Sequence, residues 1–522
     1  MFHVILSACL LLVTFPDFSF SWFAWIAFVP IFFLARNPLS FKTAFGYFYL
    51  LGCIFFLVTV EWLRHVSYFG WLFVSFLYAT YFGCFGLLVR WFWVRRGPVF
   101  FCLLVPSAWV VLEWIRTEIP VWAFGWNLLA HSQSDHRAIA NIASLGGVYY
   151  VSWLVMLGNV SVFFLVSSWR MKQNKRFALV SVIFFLAMLL VPVFWTREPH
   201  AAAHLPQTSS DDTGLSAIGG EQENRARNRV HVAVVQGNIA QGEKWDINQK
   251  KRILQTYHEL SRFVAADRPD LILWPEASFP GYFNIDESRF ETLNLVQELR
   301  IPILVGGLTY ESESVAFNSA YWVTEDGKVQ SRYDKVRLVP FGEYVPWKTF
   351  FGFLGLNRLA QSLGVGDYSA GADVRVFSLK EGGAFSPLIC FEDTFPSLAR
   401  RAVAKGAQFL VVITNDAWFS KSAAPYQHLQ ASIFRAIENG VPVIRASNTG
   451  VSAFINARGK VLGRVQDQQG NSLFIGGGLA RSIEISKLET FYQRFGYLFP
   501  AACFLAVLVG LILTPETKSQ PA

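Results

Sequence analysis

The stretch SPLICFEDTF, from Ser386 to Phe395, ends an apolar run on Cys390 and follows it at once with Phe391, Glu392 and Asp393. Cys390 is the single cysteine between Cys102 and Cys503. An apolar strand that delivers a thiol and two acids at its end reads either as a buried core cysteine or as a nucleophile on a strand-end loop. The sequence on both sides bears on that choice.

From Val230 onward, short β-branched runs alternate with helical stretches. VHVAVVQGN, DLILWPE, IPILVGG, AFSPLICFED and QFLVVITND read as strands, with helices expected over Asn248–Ala266, Glu287–Glu298, Pro396–Lys405 and Pro425–Asn439. AFNSAYWVTEDGKVQSRYDK reads as a hairpin with Asp326-Gly327 at its turn. Near-continuous apolar strands separated by helices imply sheets covered by helices, so a layered α/β domain is expected over 230–485.

The rest of the chain has a different character. Of its 522 residues 53% are hydrophobic, with 50 Phe and 18 Trp, and the excess lies in residues 1–196 and 494–514. Apolar blocks near 3–18, 20–35, 43–62, 68–90, 98–115, 146–168, 177–195 and 494–514 approach the roughly 20 residues that cross a bilayer core. The first two are short and share a break at Pro16-Asp17, so a single re-entrant hairpin is an alternative there. The expected organisation is an N-terminal membrane domain of about seven spans over 1–196, a flexible linker over 197–229, the α/β domain, and a final span with a short tail over 486–522. With a cytoplasmic N-terminus, the inside loops hold nine Lys and Arg and the outside loops only Arg64, Arg116 and Arg137. That asymmetry places the α/β domain on the outer face. It also accounts for the net charge of +8 without nucleic acid, since no basic stripe interleaved with aromatics is present. Glu61, Arg64 and Glu113 sit near span ends and are expected at the interface, where charge costs little.

An exported domain normally uses cysteines in pairs, so a lone Cys390 is either inert or kept for its chemistry. Two other strand ends carry reactive groups: Glu276 in LILWPEASFP, and Lys335 in SRYDKVRLVPFGEYVP with Glu343 eight residues on. Singly, each has a bland reading as a capping acid or a surface lysine. Together they supply what a thiol needs, a proton acceptor and a positive charge. A helix opening at Pro396 would favour a thiolate too, whereas Glu392 and Asp393 oppose it unless paired. Asn415, Asp416, Arg435, Glu438 and Asn448 read as groups that satisfy buried backbone. No metal, P-loop or dinucleotide motif is present, and no cofactor is expected.

WPE, YDKVRLVPFGEYVP, ICFED, TNDAWF and ASNTG, in this order, resemble the nitrilase (carbon–nitrogen hydrolase) superfamily. The resemblance implies an αββα sandwich with a Glu-Lys-Cys triad at Glu276, Lys335 and Cys390. The layout of spans, α/β domain and last span, together with FGEYVP, is similar to the apolipoprotein N-acyltransferase family. That implies a multi-pass protein of the bacterial inner membrane with its catalytic domain on the periplasmic face. It implies a phospholipid acyl donor and a diacylated apolipoprotein acceptor, joined through a cysteine thioester. Glu343 and Glu392 fall on two further functional acids, and Trp245 in VVQGNIAQGEKWD on a substrate-side aromatic. Phe391 departs from the pattern, where Tyr is commonly found. The segment 347–366, apolar and glycine-hinged, is expected to be a lid or an amphipathic helix packed on the domain. A membrane-anchored amidase acting on small C–N substrates is the alternative the same triad allows.

Overall fold

A computed structural model describes residues 1–16, 18–95, 98–119, 123–171, 175–196, 228–344, 367–380, 382–485 and 487–513. The linker expected over 197–229 and the lid expected over 347–366 lie almost wholly outside them. Two compact units divide the chain. One holds Met1–Thr196, Ser422–Glu438 and Thr490–Ala522, and the other Arg197–Lys421 and Asn439–Glu489.

The first unit is helical. Phe41–Thr59, Tyr68–Arg95, Phe100–Glu118 and Ala143–Trp169 are long and apolar enough to cross a membrane. Phe2–Leu12, Ser21–Arg36, Ala178–Phe194 and Leu498–Ile512 are apolar but shorter. The first two apolar blocks fold as three pieces, a helix over Phe2–Leu12, a 3-10 turn over Ser21–Trp25 and a helix over Val29–Arg36. Small residues set the helix spacing: a side chain on Gly52 would strike Ala79 and Phe82 at under 3 Å, so the Phe41–Thr59 and Tyr68–Arg95 helices pack backbone to backbone. Glu113 and Arg116 correct the expectation of interfacial and loop positions, because both are buried, at 3% and 4% exposure. One oxygen of Glu113 accepts from the Leu129 N–H at 2.7 Å, and Arg116 donates to the Trp126 carbonyl at 2.9 Å. Their charges serve the 123–129 loop rather than water.

The second unit contains two six-stranded sheets. The first runs β12 (Gly477–Glu484), β1 (Arg229–Gln236), β2 (Leu271–Leu273), β3 (Ile303–Ser312), β4 (Val315–Val323), β5 (Val329–Asp334). The second runs β11 (Val461–Arg464), β10 (Ala453–Ile455), β9 (Val443–Ser447), β8 (Phe409–Thr414), β7 (Ala384–Ile389), β6 (Phe377–Ser378). In each sheet the three central strands are parallel and the outer ones antiparallel. The two-residue period decides what each side chain covers. Val230, Val232 and Val234 join Leu271, Leu304, Phe385, Phe409 and Ile444 in the core between the sheets. Ala233 and Val235 face the other way, with Ile253, Tyr257, Trp274 and Leu295, under the helices Lys250–Ala265 and Arg289–Leu299. The strands read as unbroken apolar runs because both faces are buried. The hairpin expected at Asp326-Gly327 forms as β4–β5, with Gly327 at φ 73°.

Candidate active site

Three strand ends build the site. β2 ends just before Trp274-Pro275-Glu276, β5 ends at Asp334 beside Lys335, and β7 ends at Ile389 beside Cys390. The carboxyl ends of parallel strands are where α/β sheets assemble ligand sites. The Glu276 turn lies against β3: a side chain on Gly306 would strike the Pro275 carbonyl oxygen at 2.1 Å and Glu276 Cα at 2.9 Å. Only glycine leaves room there.

Lys335 is buried at 1% exposure. Its Nζ lies 2.8 Å from Glu343 Oε1 and 3.6 Å from Glu276 Oε1. Burial alone would lower Lys335, but Glu343 and then Glu276 override it and hold the ammonium above its usual range. Asn318 Nδ2 donates to both acids, at 2.8 Å to Glu276 and 3.0 Å to Glu343. The Asn415 N–H donates to Glu276 Oε2 at 2.9 Å, and the Val339 N–H to Glu343 Oε2 at 2.8 Å. Both oxygens of each carboxylate are thereby aimed.

Cys390 keeps part of its surface open and takes a left-handed backbone, φ 54°, a conformation L-residues adopt at a cost and most often at functional turns. Burial pushes its thiol well above the ordinary range; the Glu276 charge adds to the rise, and Lys335 opposes it. The surroundings therefore favour the neutral thiol over the thiolate. A thiolate favoured by Lys335 and a helix N-terminus was expected; here burial, and after it the Glu276 charge, outweigh Lys335. The helix does open at Pro396, but a 3-10 turn, Cys390–Thr394, stands between.

Of the two acids after Cys390, neither opposes it freely. Asp393 pairs with Arg445 at 2.7 Å. Glu392 is fully buried and accepts from Tyr333 Oη at 2.7 and 2.8 Å, and from the N–H groups of Val336, Arg337 and Ile389 at 2.7, 3.0 and 2.7 Å. It ties the Lys335 loop to the Cys390 turn. Phe391 is buried edge-on against Phe395, ring centroids 4.9 Å apart. Trp245, by contrast, is 48% exposed. Sequence reading passed over Asn318 and Lys244. Asn318 stands opposite Leu308 on a strand whose apolar neighbours gave no hint of a polar role, and Lys244 lies in a turn between Glu243 and Trp245 where no local pattern marks it. Among the described residues no cluster of His, Cys, Asp and Glu is placed to hold a metal ion.

The chain is similar to known proteins along nearly its whole length. The carbon-nitrogen hydrolase family model matches residues 231–476, and that of the apolipoprotein N-acyltransferase N-terminal domain matches residues 7–161. An apolipoprotein N-acyltransferase of Geobacter metallireducens is 33% identical over 99% of this chain and 95% of its own. Another, from Methylococcus capsulatus, is 30% identical over 86% and 84%. Among solved structures, an amidase from Nesterenkonia sp. AN1 aligns with a TM-score of 0.39 at 20% identity, covering 51% of this chain and 96% of that one. With both domain families matched in order and a relative one-third identical from end to end, this chain belongs to the apolipoprotein N-acyltransferase family.

Proposed function

We propose that this protein transfers an acyl chain from a phospholipid to the N-terminal diacylglyceryl-cysteine of apolipoproteins, through a thioester on Cys390. The observation that carries the reading is the Lys335 ammonium between Glu276 and Glu343, in electrostatic contact with Cys390, in a chain that matches named N-acyltransferases almost end to end. Because the surroundings favour the neutral thiol, attack and deprotonation go together. Glu276 takes the thiol proton as Sγ bonds to the ester carbonyl carbon, and Lys335 with nearby N–H groups stabilises the oxyanion. The ester C–O bond then breaks, Glu276 passes the proton to the departing glycerol oxygen, and a lysophospholipid leaves. In the second half the acceptor α-amine, largely charged near neutral pH at a reference pKa of roughly 7.7–8.0, first loses one proton to solvent; the neutral amine then attacks the thioester and gives a second proton to Glu276, which returns it to the sulfur. The C–S bond breaks and the sulfur is reprotonated. This is ping-pong chemistry.

The eight apolar segments are read as spans that hold the 230–485 domain at the outer face of the bacterial inner membrane, where both lipid substrates lie. Trp245 is read as a substrate contact, and Glu343 and Glu392 as the acids that place Lys335 and Cys390. The amidase alternative leaves the helical unit without a purpose. The decisive experiment incubates the purified protein with phospholipid alone. An acyl-sized mass increment on Cys390 that hydroxylamine removes is expected; an unmodified protein under conditions that support full turnover overturns the covalent route.

A further inference from the structure

Among the described residues two lysines are buried, Lys335 and Lys244, each at 1% exposure. Lysine is rarely buried without a charged partner. Lys335 has two carboxylates, whereas Lys244 Nζ donates to a neutral group, the main-chain carbonyl of Glu276, at 2.9 Å. That carbonyl precedes Ala277, which holds a left-handed backbone at φ 44°, so the ammonium pins the strained turn that aims the Glu276 carboxylate. The charges that bear on Lys244 are those of Glu276 and Cys390.

A charge count shows what a second cation does here. Glu276 and Glu343 carry two negative charges against the single positive charge of Lys335, and Asp416 also acts on Cys390. Asp416 lies 3.9 Å from the Arg445 guanidinium, which is itself paired to Asp393. Forming negative charge on sulfur or on the ester oxygen inside this set therefore adds to an existing excess. Resting on Cys390 as the nucleophile, we infer that Lys244 is a positioning residue of the acyl-transfer site: its ammonium fixes the Glu276 turn and supplies the positive charge that offsets the Cys390 sulfur as it ionises. Burial lowers Lys244 to about 8, against the pull of Glu276 and Cys390. Its proton is thus present at neutral pH and lost just above it.

Alkylation of Cys390 by iodoacetamide, followed by peptide mass from pH 6 to 10 in the full-length detergent-solubilised protein, tests this. In the wild type the log rate rises by one per pH unit up to about pH 8. It then flattens, because above that pH the thiolate with charged Lys244 and the thiol with neutral Lys244 hold the same number of protons. Lys244→Arg, which stays charged, climbs through pH 8 without a break. Lys244→Met reacts about tenfold or more slowly below pH 8, the effect of one unit on the thiol. A wild-type profile with unit slope from pH 7 to 10, or a folded Lys244→Met that matches the wild type, overturns the proposal. If Lys244→Met does not fold, the wild type and Lys244→Arg decide by themselves. Acyl transfer retained by Cys390→Ala overturns the nucleophile itself. Unchanged alkylation profiles in a protein that Cys390→Ala silences overturn Lys244 alone.

Discussion

Two groups of buried charge, one in each unit, show how differently a protein can use the same side chains. In the helical unit, Glu113 and Arg116 end on a backbone N–H and a backbone carbonyl of the following loop. They satisfy peptide groups that water would otherwise serve. In the α/β unit, Glu276, Glu343 and Lys335 converge on one another and on a partly open sulfur. There each carboxylate oxygen is held by donors, and the two carboxylates outnumber Lys335 until the second buried ammonium, Lys244, is counted. Buried charge whose partners are only the peptide groups of a neighbouring loop builds structure; buried charges gathered around a thiol mark a candidate site of chemistry.

The sharpest way to break this contrast is Cys390→Ala. Loss of transfer by at least about a thousandfold is expected, with the thermal midpoint little changed, as read by a phospholipid-to-lipopeptide assay and a melting curve. Glu276→Gln removes the proposed proton acceptor while keeping the shape, so single-turnover thioester formation is expected to slow by about 10²–10⁴; a normal rate would move the base elsewhere. Glu392→Ala leaves one hydroxyl and three N–H groups unpaired in the interior. It should cost about 3–5 kcal/mol of stability, seen in denaturant unfolding of the detergent-solubilised protein. Glu113→Ala should cost about 1–3 kcal/mol and leave transfer per folded molecule within about twofold; a larger loss of activity would make the helical unit part of the chemistry. Last, the raised Cys390 thiol predicts that alkylation at pH 7 is slower than that of a free cysteine. The sign follows from the shift: a folded value above the unfolded one keeps the proton on sulfur, so the thiolate fraction is smaller at every pH below it. The stability of the neutral thiol is present below the unfolded value and lost as pH rises through the folded one.

Much of this site is readable from sequence because its residues sit at the ends of short apolar runs, and period and flanking turns mark those ends. Lys335 and Cys390 each follow a strand directly, and Glu276 comes three residues after the end of β2. Asn318 lies within a strand, and Lys244 in an irregular turn, and neither position carries a local signal. Glu113 misled for a related reason: a carboxylate near the end of an apolar segment looks interfacial until the loop that bonds to it is placed at 123–129. The pairing of Asp393 with Arg445 joins residues 52 positions apart, a distance at which periodicity says nothing.

The order of strands and helices, the apolar segments and the three reactive groups follow from the chain itself, because side-chain period and residue type act over a few neighbours. Which cation is shared and which stands alone, whether the surroundings favour thiol or thiolate, and that Glu392 is a tie between two loops were decided only by the fold. Those properties depend on burial and on charges within a few ångströms, and the tertiary structure alone brings such distant residues that close.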